Sequence, residues 1–356
     1  MSGALRIGVL GAARITGRAL MEPARAVPQV TVAAVAARDK ARAEEFALAH
    51  GVPVAHGSYE LLLADPAIEA VYIPLPNALH APWTLRAIAA GKHVLCEKPF
   101  ASNAPEAVSV AAAARRSGLV VMEAMHYRYH PLVRRMAALI GEGAIGTPVH
   151  AQAWTSWAIP DMGDIRYNFA LGGGALMDGG CYAIDCLRLV AEQVSAAEPS
   201  VTGALADPLP GEPVDRSLAA RLAFPGGPTG WFESSFTREG EFRADVHVIG
   251  DQGRLWLRNF VLAHQGRLWL NNFVNAQEGR LRMISPNGAV ASDEMASDLR
   301  RSDGDAADTT FVWQLRAFAA AITDGAPFPT TADSAAVTMR VIDDAYRAAG
   351  LPPRGA

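Results

Sequence analysis

Three polar side chains in this largely apolar sequence have the types and spacing that alcohol–carbonyl chemistry needs. Lys98 stands in VLCEKPF, directly after a short apolar run, between a glutamate and a proline. Asp178 and Tyr182 lie at i and i+4 in GGGALMDGGCYAIDCLRL, on one face if that segment is helical. Oxidising an alcohol requires a base for the O–H proton as hydride leaves the carbon. A free phenol, with a pKa of about 10, is a poor base near neutral pH. A nearby ammonium stabilises the phenolate and lowers that value. Tyr182 is then the proton acceptor and donor. Lys98 tunes it and holds the reacting oxygen, and Asp178 orients the substrate by accepting hydroxyl hydrogen bonds. Lys98 as the proton shuttle is the alternative assignment.

Pro99 fixes its own φ and restrains Lys98 to extended geometry, and the bond between them is a candidate for the cis form. A surface lysine ending a strand is the plainer alternative. Against it stands YIPLPNALH, a rigid polar loop that puts Pro74, Pro76, Asn77 and His80 at the neighbouring strand tip. Asp185 is equally well read as part of a buried helix. In MEAMHYRYHP, Glu123, His126 and Arg128 either line the cleft or merely start a linker helix. Arg166 and Tyr167 are further substrate-contact candidates. Trp154 and Trp157 either stack on a sugar or belong to a core.

A sheet must bring such residues to a ligand. Leu5–Leu10, Val30–Ala36, Ala70–Ile73, His93–Cys96 and 120–123 read as short apolar strands. Helical segments at 13–27, 40–50, 82–90 and 105–117 alternate with them. That rhythm predicts a parallel sheet with helices on both faces, whose ligands sit beyond the carboxyl ends of the strands. Lys98 falls just past one such end.

The first strand runs into RIGVLGAARITG. Gly8, Gly11 and Ala13 are small where a dinucleotide turn needs small residues, and the backbone of Ala12, Arg14 and Ile15 completes the turn. The following helix N-terminus favours a pyrophosphate. The match to GxGxxG is imperfect, and a plain Gly-Ala turn is the alternative. The second strand ends AVAARD. Arg38 there suits the 2′-phosphate of NADP through its planar donors. Asp39 is the ribose ligand of NAD if the register is one residue different. Pro74, Asn77, His80, Glu97 and Lys98 complete the expected cofactor rim.

From Tyr127 the pattern changes. A helix is expected at 131–140, a strand at 149–156, and a helix opened by LGGGAL from 175 to about 190. Strand after strand then follows from 201 to about 284, predicting a large, mostly antiparallel sheet. GRLWLRNFV recurs as GRLWLNNFV within that stretch. Two similar neighbouring strands explain this better than a repeated ligand unit. Ser285–Asp308 reads as a polar, acidic loop, and helices close the chain at 308–323 and 332–349. The expected organisation is an α/β chain with a dinucleotide-binding domain at 1–126 and a substrate and oligomerisation domain at 127–330. A C-terminal helix at 331–356 is expected to pack back on the first domain.

Of the 356 residues half are hydrophobic, enough for a sizeable core, and the formal net charge is −4. No basic cluster points to nucleic acid, and no run is long enough to span a membrane. Cys96, Cys181 and Cys186 form no CxxC pair, and no export cleavage pattern follows the N-terminus. A cytoplasmic protein is expected. The histidines show no zinc spacing, and no serine nucleophile elbow is present.

The Gly-rich turn, PLPNALHAPWTLRAIAAGKHVLCEKP and LGGGALMDGGCYAIDCLR together resemble the glucose–fructose oxidoreductase/inositol dehydrogenase (Gfo/Idh/MocA) family over nearly the whole chain. The resemblance implies a Rossmann domain, then an α/β domain whose open sheet often forms the oligomer interface, here a dimer or tetramer. It also implies a tightly held nicotinamide cofactor and a sugar, polyol or related substrate. Many members carry histidine where this sequence has Tyr182. The tyrosine resembles the subgroup of glucose–fructose oxidoreductase and dimeric dihydrodiol dehydrogenase, which leans towards NADP, with NAD the alternative. An aromatic trans-dihydrodiol substrate and a non-catalytic NADP(H)-binding regulator are the competing functional readings.

Overall fold

The N-terminal strands are short, continuous apolar runs because they are buried on both faces. The computed structural model describes residues 3–236, 242–272, 282–284, 290–291 and 308–355. It divides into two units: residues 1–125 with 311–339 and 355, and residues 126–310 with 340–354 and 356.

In the first unit, β1 (Leu5–Leu10), β2 (Val30–Ala36), β3 (Val54–His56), β4 (Ala70–Ile73), β5 (His93–Cys96) and β6 (Val121–Glu123) form a six-stranded sheet in the order β3-β2-β1-β4-β5-β6. Every pairing in it is parallel. The order reverses between β1 and β4, the place where an open α/β sheet leaves a crevice for a ligand. Helices α1 (Glu22–Arg25), α2 (Lys40–His50), α3 (Tyr59–Ala64), α4 (His80–Ala89) and α5 (Ala104–Ser117) connect the strands. The first helical segment runs from 15 to 25 and contains a π turn at Gly17–Met21. β3 and α3 were not anticipated from sequence. β3 is three residues long, at the sheet edge and partly exposed, so it carries no apolar run.

The second unit begins with α6 (Pro131–Gly141), β7 (Pro148–Ser156) and α7 (Cys181–Glu192). β8 (Ser200–Pro208), β9 (Asp215–Ala223), β10 (Thr229–Ser235), β11 (Arg243–Gly250), β12 (Gly253–Arg258), β13 (Arg267–Asn272), β14 (Arg282–Ile284) and β15 (Val290–Ala291) follow. With β7 they form a nine-stranded sheet, antiparallel except where β10 pairs with β7. Alternation sorts its side chains. Ala151, Ala153, Phe232, Val246 and Val248 are buried, and α7 packs against β7, β10 and β11. Trp154, Trp231, His247, Trp256 and Trp269 are only partly buried.

The internal echo resolves into neighbouring strands. Trp256 of β12 pairs with Trp269 of β13 in antiparallel register, their rings 4.9 Å apart. The loop expected at Ser285–Asp308 lies outside the described residues apart from 290–291 and 308. Two helices, α8 (Thr310–Thr323) and α9 (Ala332–Ala348), follow. Residues 311–339 group with the first unit, whereas 340–354, including the end of α9, group with the second. Among the described residues no helix is long and apolar enough to cross a membrane.

Candidate active site

The turn after β1 is built on Gly11. Gly11 adopts φ +115°, and a Cβ there would meet Leu75 Cδ2 at 2.9 Å, so only glycine keeps the backbone in place. Its N–H donates to Ala36 O at 2.8 Å, fixing the turn against β2. Ala12 and Ala13 follow as small, partly exposed residues; Arg14 is exposed, and Ile15 opens the helical segment. Gly8 lies within β1 instead, where a Cβ would stand 2.6 Å from Leu62 Cδ2. Its small size serves the packing of α3 on the sheet.

Arg38 and Asp39 divide as the sequence left open. Asp39 is the N-cap of α2 and accepts from Ala41 N at 3.0 Å, which occupies its carboxylate locally. Arg38 is exposed and hydrogen-bonds Tyr59. Burial holds the Tyr59 phenol above its ordinary range, opposed by the charges of Arg38 and Arg42. Arg42 reaches back from α2 to donate to Ala12 O at 3.1 Å. Arg42 thus stands at the turn after β1, and Arg38 beside Tyr59. Arg42 was missed in the sequence, although its i+4 spacing from Arg38 was visible there.

The rim residues of the first unit are chiefly braces. His80 has both ring nitrogens at backbone carbonyls, Nδ1 2.7 Å from Pro99 O and Nε2 2.7 Å from Leu75 O. Both ring nitrogens thus face backbone carbonyls of the first unit, and a neutral ring donates to one of them. Burial pushes the imidazole down to about 4, against the upward pull of those carbonyls. Glu97 accepts from Tyr72 Oη at 2.7 Å and from Lys98 N at 3.3 Å, so it too orients the segment. The Lys98–Pro99 bond is cis. Lys98 is partly exposed just beyond β5. Pro74 follows β4 directly, and Asn77 begins a short 3-10 turn before α4.

In the second unit the glycine run opens a π turn, Leu176–Gly180, that leads into α7. Tyr182 Oη lies 2.9 Å from His126 Nε2, and His126 Nδ1 lies 2.8 Å from Thr310 Oγ1. All three residues are buried. Asp178 Oδ2 accepts from Arg166 Nε at 2.9 Å and from Trp157 Nε1 at 3.0 Å. Arg166 also pairs with Asp164 at 3.0 Å, and Asp178, ahead of Asp164, holds the guanidinium above its usual range. Trp157 stacks on Phe242 with ring centroids 5.7 Å apart. Asp178 thus meets Arg166 and Trp157, and Tyr182 meets His126, at the start of one helix.

Other candidates are structural. Tyr127 donates to Asp185, which Arg128 and Arg188 flank at 3.5 and 3.7 Å. Arg128 also grips Glu192 through both terminal nitrogens, and its side chain is buried. Glu123 is buried at the end of β6, where its N–H donates to Thr330 O at 2.9 Å. Tyr167 donates to Ile159 O. Trp154 stands beneath Arg243, 4.1 Å from its ring centroid, on the sheet face with Trp231 and His247. Among the described residues no cluster of His, Cys, Asp and Glu could hold a metal.

Residues 5–125 match the family described as an oxidoreductase family with an NAD-binding Rossmann fold, and residues 133–256 match the Gfo/Idh/MocA C-terminal domain. This chain belongs to the Gfo/Idh/MocA oxidoreductase family. It is a nicotinamide-dependent oxidoreductase. Uncharacterized oxidoreductase ORF334 of Rhizobium meliloti is 33% identical over 345 residues, 97% of each chain. D-xylose 1-dehydrogenase (NADP(+)) 2 of Haloferax volcanii is 40% identical over 233 residues, 65% of this chain and 70% of the relative. Among solved structures, KijD10, a 3-ketoreductase from Actinomadura kijaniata in complex with NADP and TDP-benzene, superposes with a TM-score of 0.79. It is 28% identical, covering 97% of this chain and 98% of that one. The ketoreductase has also been solved with one lysine changed to alanine and with one tyrosine changed to phenylalanine. That lysine and tyrosine are separated along their chain as Lys98 and Tyr182 are in this Gfo/Idh/MocA oxidoreductase.

Proposed function

We propose that this protein is an NADP-dependent oxidoreductase that interconverts a hydroxyl and a carbonyl on a sugar or polyol. The observation that carries this reading is the joint presence of Lys98 and Tyr182, at the separation of the pair substituted in the 3-ketoreductase. The Gly11 turn, with Ala12, Ala13, Arg14 and Ile15, would hold the pyrophosphate; Arg38 and Arg42 would hold the 2′-phosphate. When bound, NADP supplies the hydride transfer. Lys98 is the cation that polarises the reacting oxygen, and Tyr182 takes or gives its proton. Asp178 acts from within its Arg166–Trp157 set, fixing how substrate hydroxyls are met. Arg166 is balanced by the two carboxylates of Asp164 and Asp178, which favours a neutral polyhydroxylated substrate over a sugar acid.

The experiment is a nicotinamide absorbance assay of purified protein with NADP+ or NAD+ against aldoses, polyols, a sugar acid and a trans-dihydrodiol. Turnover of a neutral sugar with NADP+ supports the reading. Turnover of the dihydrodiol alone would replace the substrate class. Tight NADPH binding with no turnover would favour a regulator.

The chain is further proposed to form a dimer or tetramer through the nine-stranded sheet. Trp154, Trp231, His247, Trp256 and Trp269 form a run of ring contacts, with centroids 4.9 to 5.9 Å apart, and keep exposed area in the single chain. A cytoplasmic location is proposed on Cys96, Cys181 and Cys186, three buried thiols held in no disulfide. Cell fractionation finding the protein outside the cytosol would remove that assignment.

A further inference from the structure

Tyr182 has a partner that its assigned chemistry leaves unused. The phenol oxygen does not simply face solvent; it meets the imidazole of His126 at 2.9 Å, with the two rings edge to face at 5.6 Å. The far nitrogen of that imidazole meets a hydroxyl, Thr310 Oγ1, at 2.8 Å. Tyrosine, histidine and threonine are each buried, so the file of three groups is shielded from water. A neutral imidazole carries one N–H. When Thr310 accepts from Nδ1–H, the lone pair of Nε2 points at the phenol O–H.

We propose that His126 is the proton relay partner of Tyr182, and that Thr310 is a positioning residue that holds His126 in the Nδ1–H tautomer. This deepens the oxidoreductase reading and rests on it. In the oxidative direction the substrate O–H and C–H bonds break and a C=O double bond forms. The electron pair leaves with the hydride to the nicotinamide. The hydroxyl proton passes to Tyr182 Oη while the phenol's own proton passes to His126 Nε2, giving an imidazolium. Reduction runs the same transfers backwards. The phenol thereby stays neutral overall, and the cost of forming a buried phenolate is avoided.

The surroundings suit this division. Tyr127 packs edge to face on Tyr182, with centroids 6.0 Å apart, and donates to Asp185 between Arg128 and Arg188. Burial, followed by the Asp185 charge, pushes Tyr127 well above the usual phenol range, and burial likewise raises the neighbouring Cys186 thiol. These groups keep their protonation across the neutral range.

Two measurements on the full-length protein test the relay. Nitrogen NMR of 15N-histidine-labelled protein, assigned with His126→Gln, reads the tautomer directly. The expected result is a neutral His126 ring with its proton on Nδ1 and an Nε2 signal that moves in Tyr182→Phe. A neutral ring protonated on Nε2 overturns the proposal. Rate profiles against pH, on a substrate the wild type turns over, give the second reading. His126→Gln, which still hydrogen-bonds but takes no proton, should lose about 100-fold in kcat near neutrality with little change in KM. Its kcat should climb with pH, because without the relay Tyr182 must lose its own proton before it can act as the base. Thr310→Val should fall between, and Thr310→Ser should return towards wild type. A His126→Gln profile that superposes on wild type also overturns the proposal. If the wild type turns over nothing, the assigned function fails, and the nitrogen spectrum still decides the relay.

Discussion

Arg354 Nη2 lies 2.7 Å from Asp215 Oδ1, with both side chains fully buried. Asp215 also accepts from Tyr346 Oη at 2.8 Å and from Leu176 N at 2.7 Å, while Arg354 Nε donates to Gly173 O at 2.6 Å. The pair therefore clamps both sides of the glycine run that launches the helix of Asp178 and Tyr182. Gly174, at φ +128°, has no room for a side chain, since a Cβ would stand 2.1 Å from Asp215 Oδ1. Removing one partner strands a buried charge, at a cost of about 3–5 kcal/mol. Arg354→Ala should lower the unfolding free energy by that order in urea titrations. Wild-type stability in that variant would show that the clamp is inert.

Lys98→Ala should abolish turnover, by about 1,000-fold or more, given the worth of a preorganised charge at a reacting oxygen. Far-UV circular dichroism and NADPH binding should change little, because Lys98 stands beyond the end of β5 and outside the sheet core. Near-normal rates would refute its catalytic role.

Arg38→Ala should weaken NADP+ binding by about 10- to 100-fold, the worth of a charge-assisted hydrogen bond, and leave NAD+ nearly unaffected. Arg42→Ala should add to that loss, because it stands at the same turn through Ala12 O. Calorimetric titration with both cofactors measures the ratio. Equal loss for NADP+ and NAD+ would mean that neither arginine reads the 2′-phosphate.

His130 caps α6, its Nδ1 accepting from Leu132 N at 3.2 Å, which requires a neutral ring. Burial, aided by His264 and Arg134, pushes its pKa down to about 3. The folded value is depressed, so between the unfolded value near 6.5 and about 3 the unfolded state binds more protons. Stability from this group is complete above pH 6.5 and falls by about 1.4 kcal/mol per pH unit below it. His130→Asn keeps a cap acceptor without the titration. Its denaturation midpoint should fall less steeply with acid than that of wild type, and parallel curves would disprove the assignment.

Trp256→Lys should dissociate any oligomer formed through the sheet, since it sets a charge between His247 and Trp269. Sedimentation velocity reads the result. A wild-type monomer at micromolar concentration, or an assembly untouched by the substitution, would remove the sheet as the interface.

Local physics wrote much of this molecule into its sequence. Parallel strands buried on both faces read as continuous apolar runs, so the first sheet's main strands were visible, and β3, short and at the edge, was not. The settings of Lys98 and Tyr182 were legible because a strand end before a proline and a helix after a glycine run are both local signals. The tertiary structure decided their partners. Thr310 stands 184 positions from His126, and Arg354 stands 139 from Asp215, so no periodicity or motif joins them. It also supplied contacts for residues whose types suggested chemistry: Asp39 caps a helix, His80 faces two backbone carbonyls, and Arg128 pairs with Asp185 and Glu192. A side chain's chemistry follows from its type. Whether that chemistry is spent on the fold or left for a substrate depends on which distant groups burial brings within hydrogen-bonding distance.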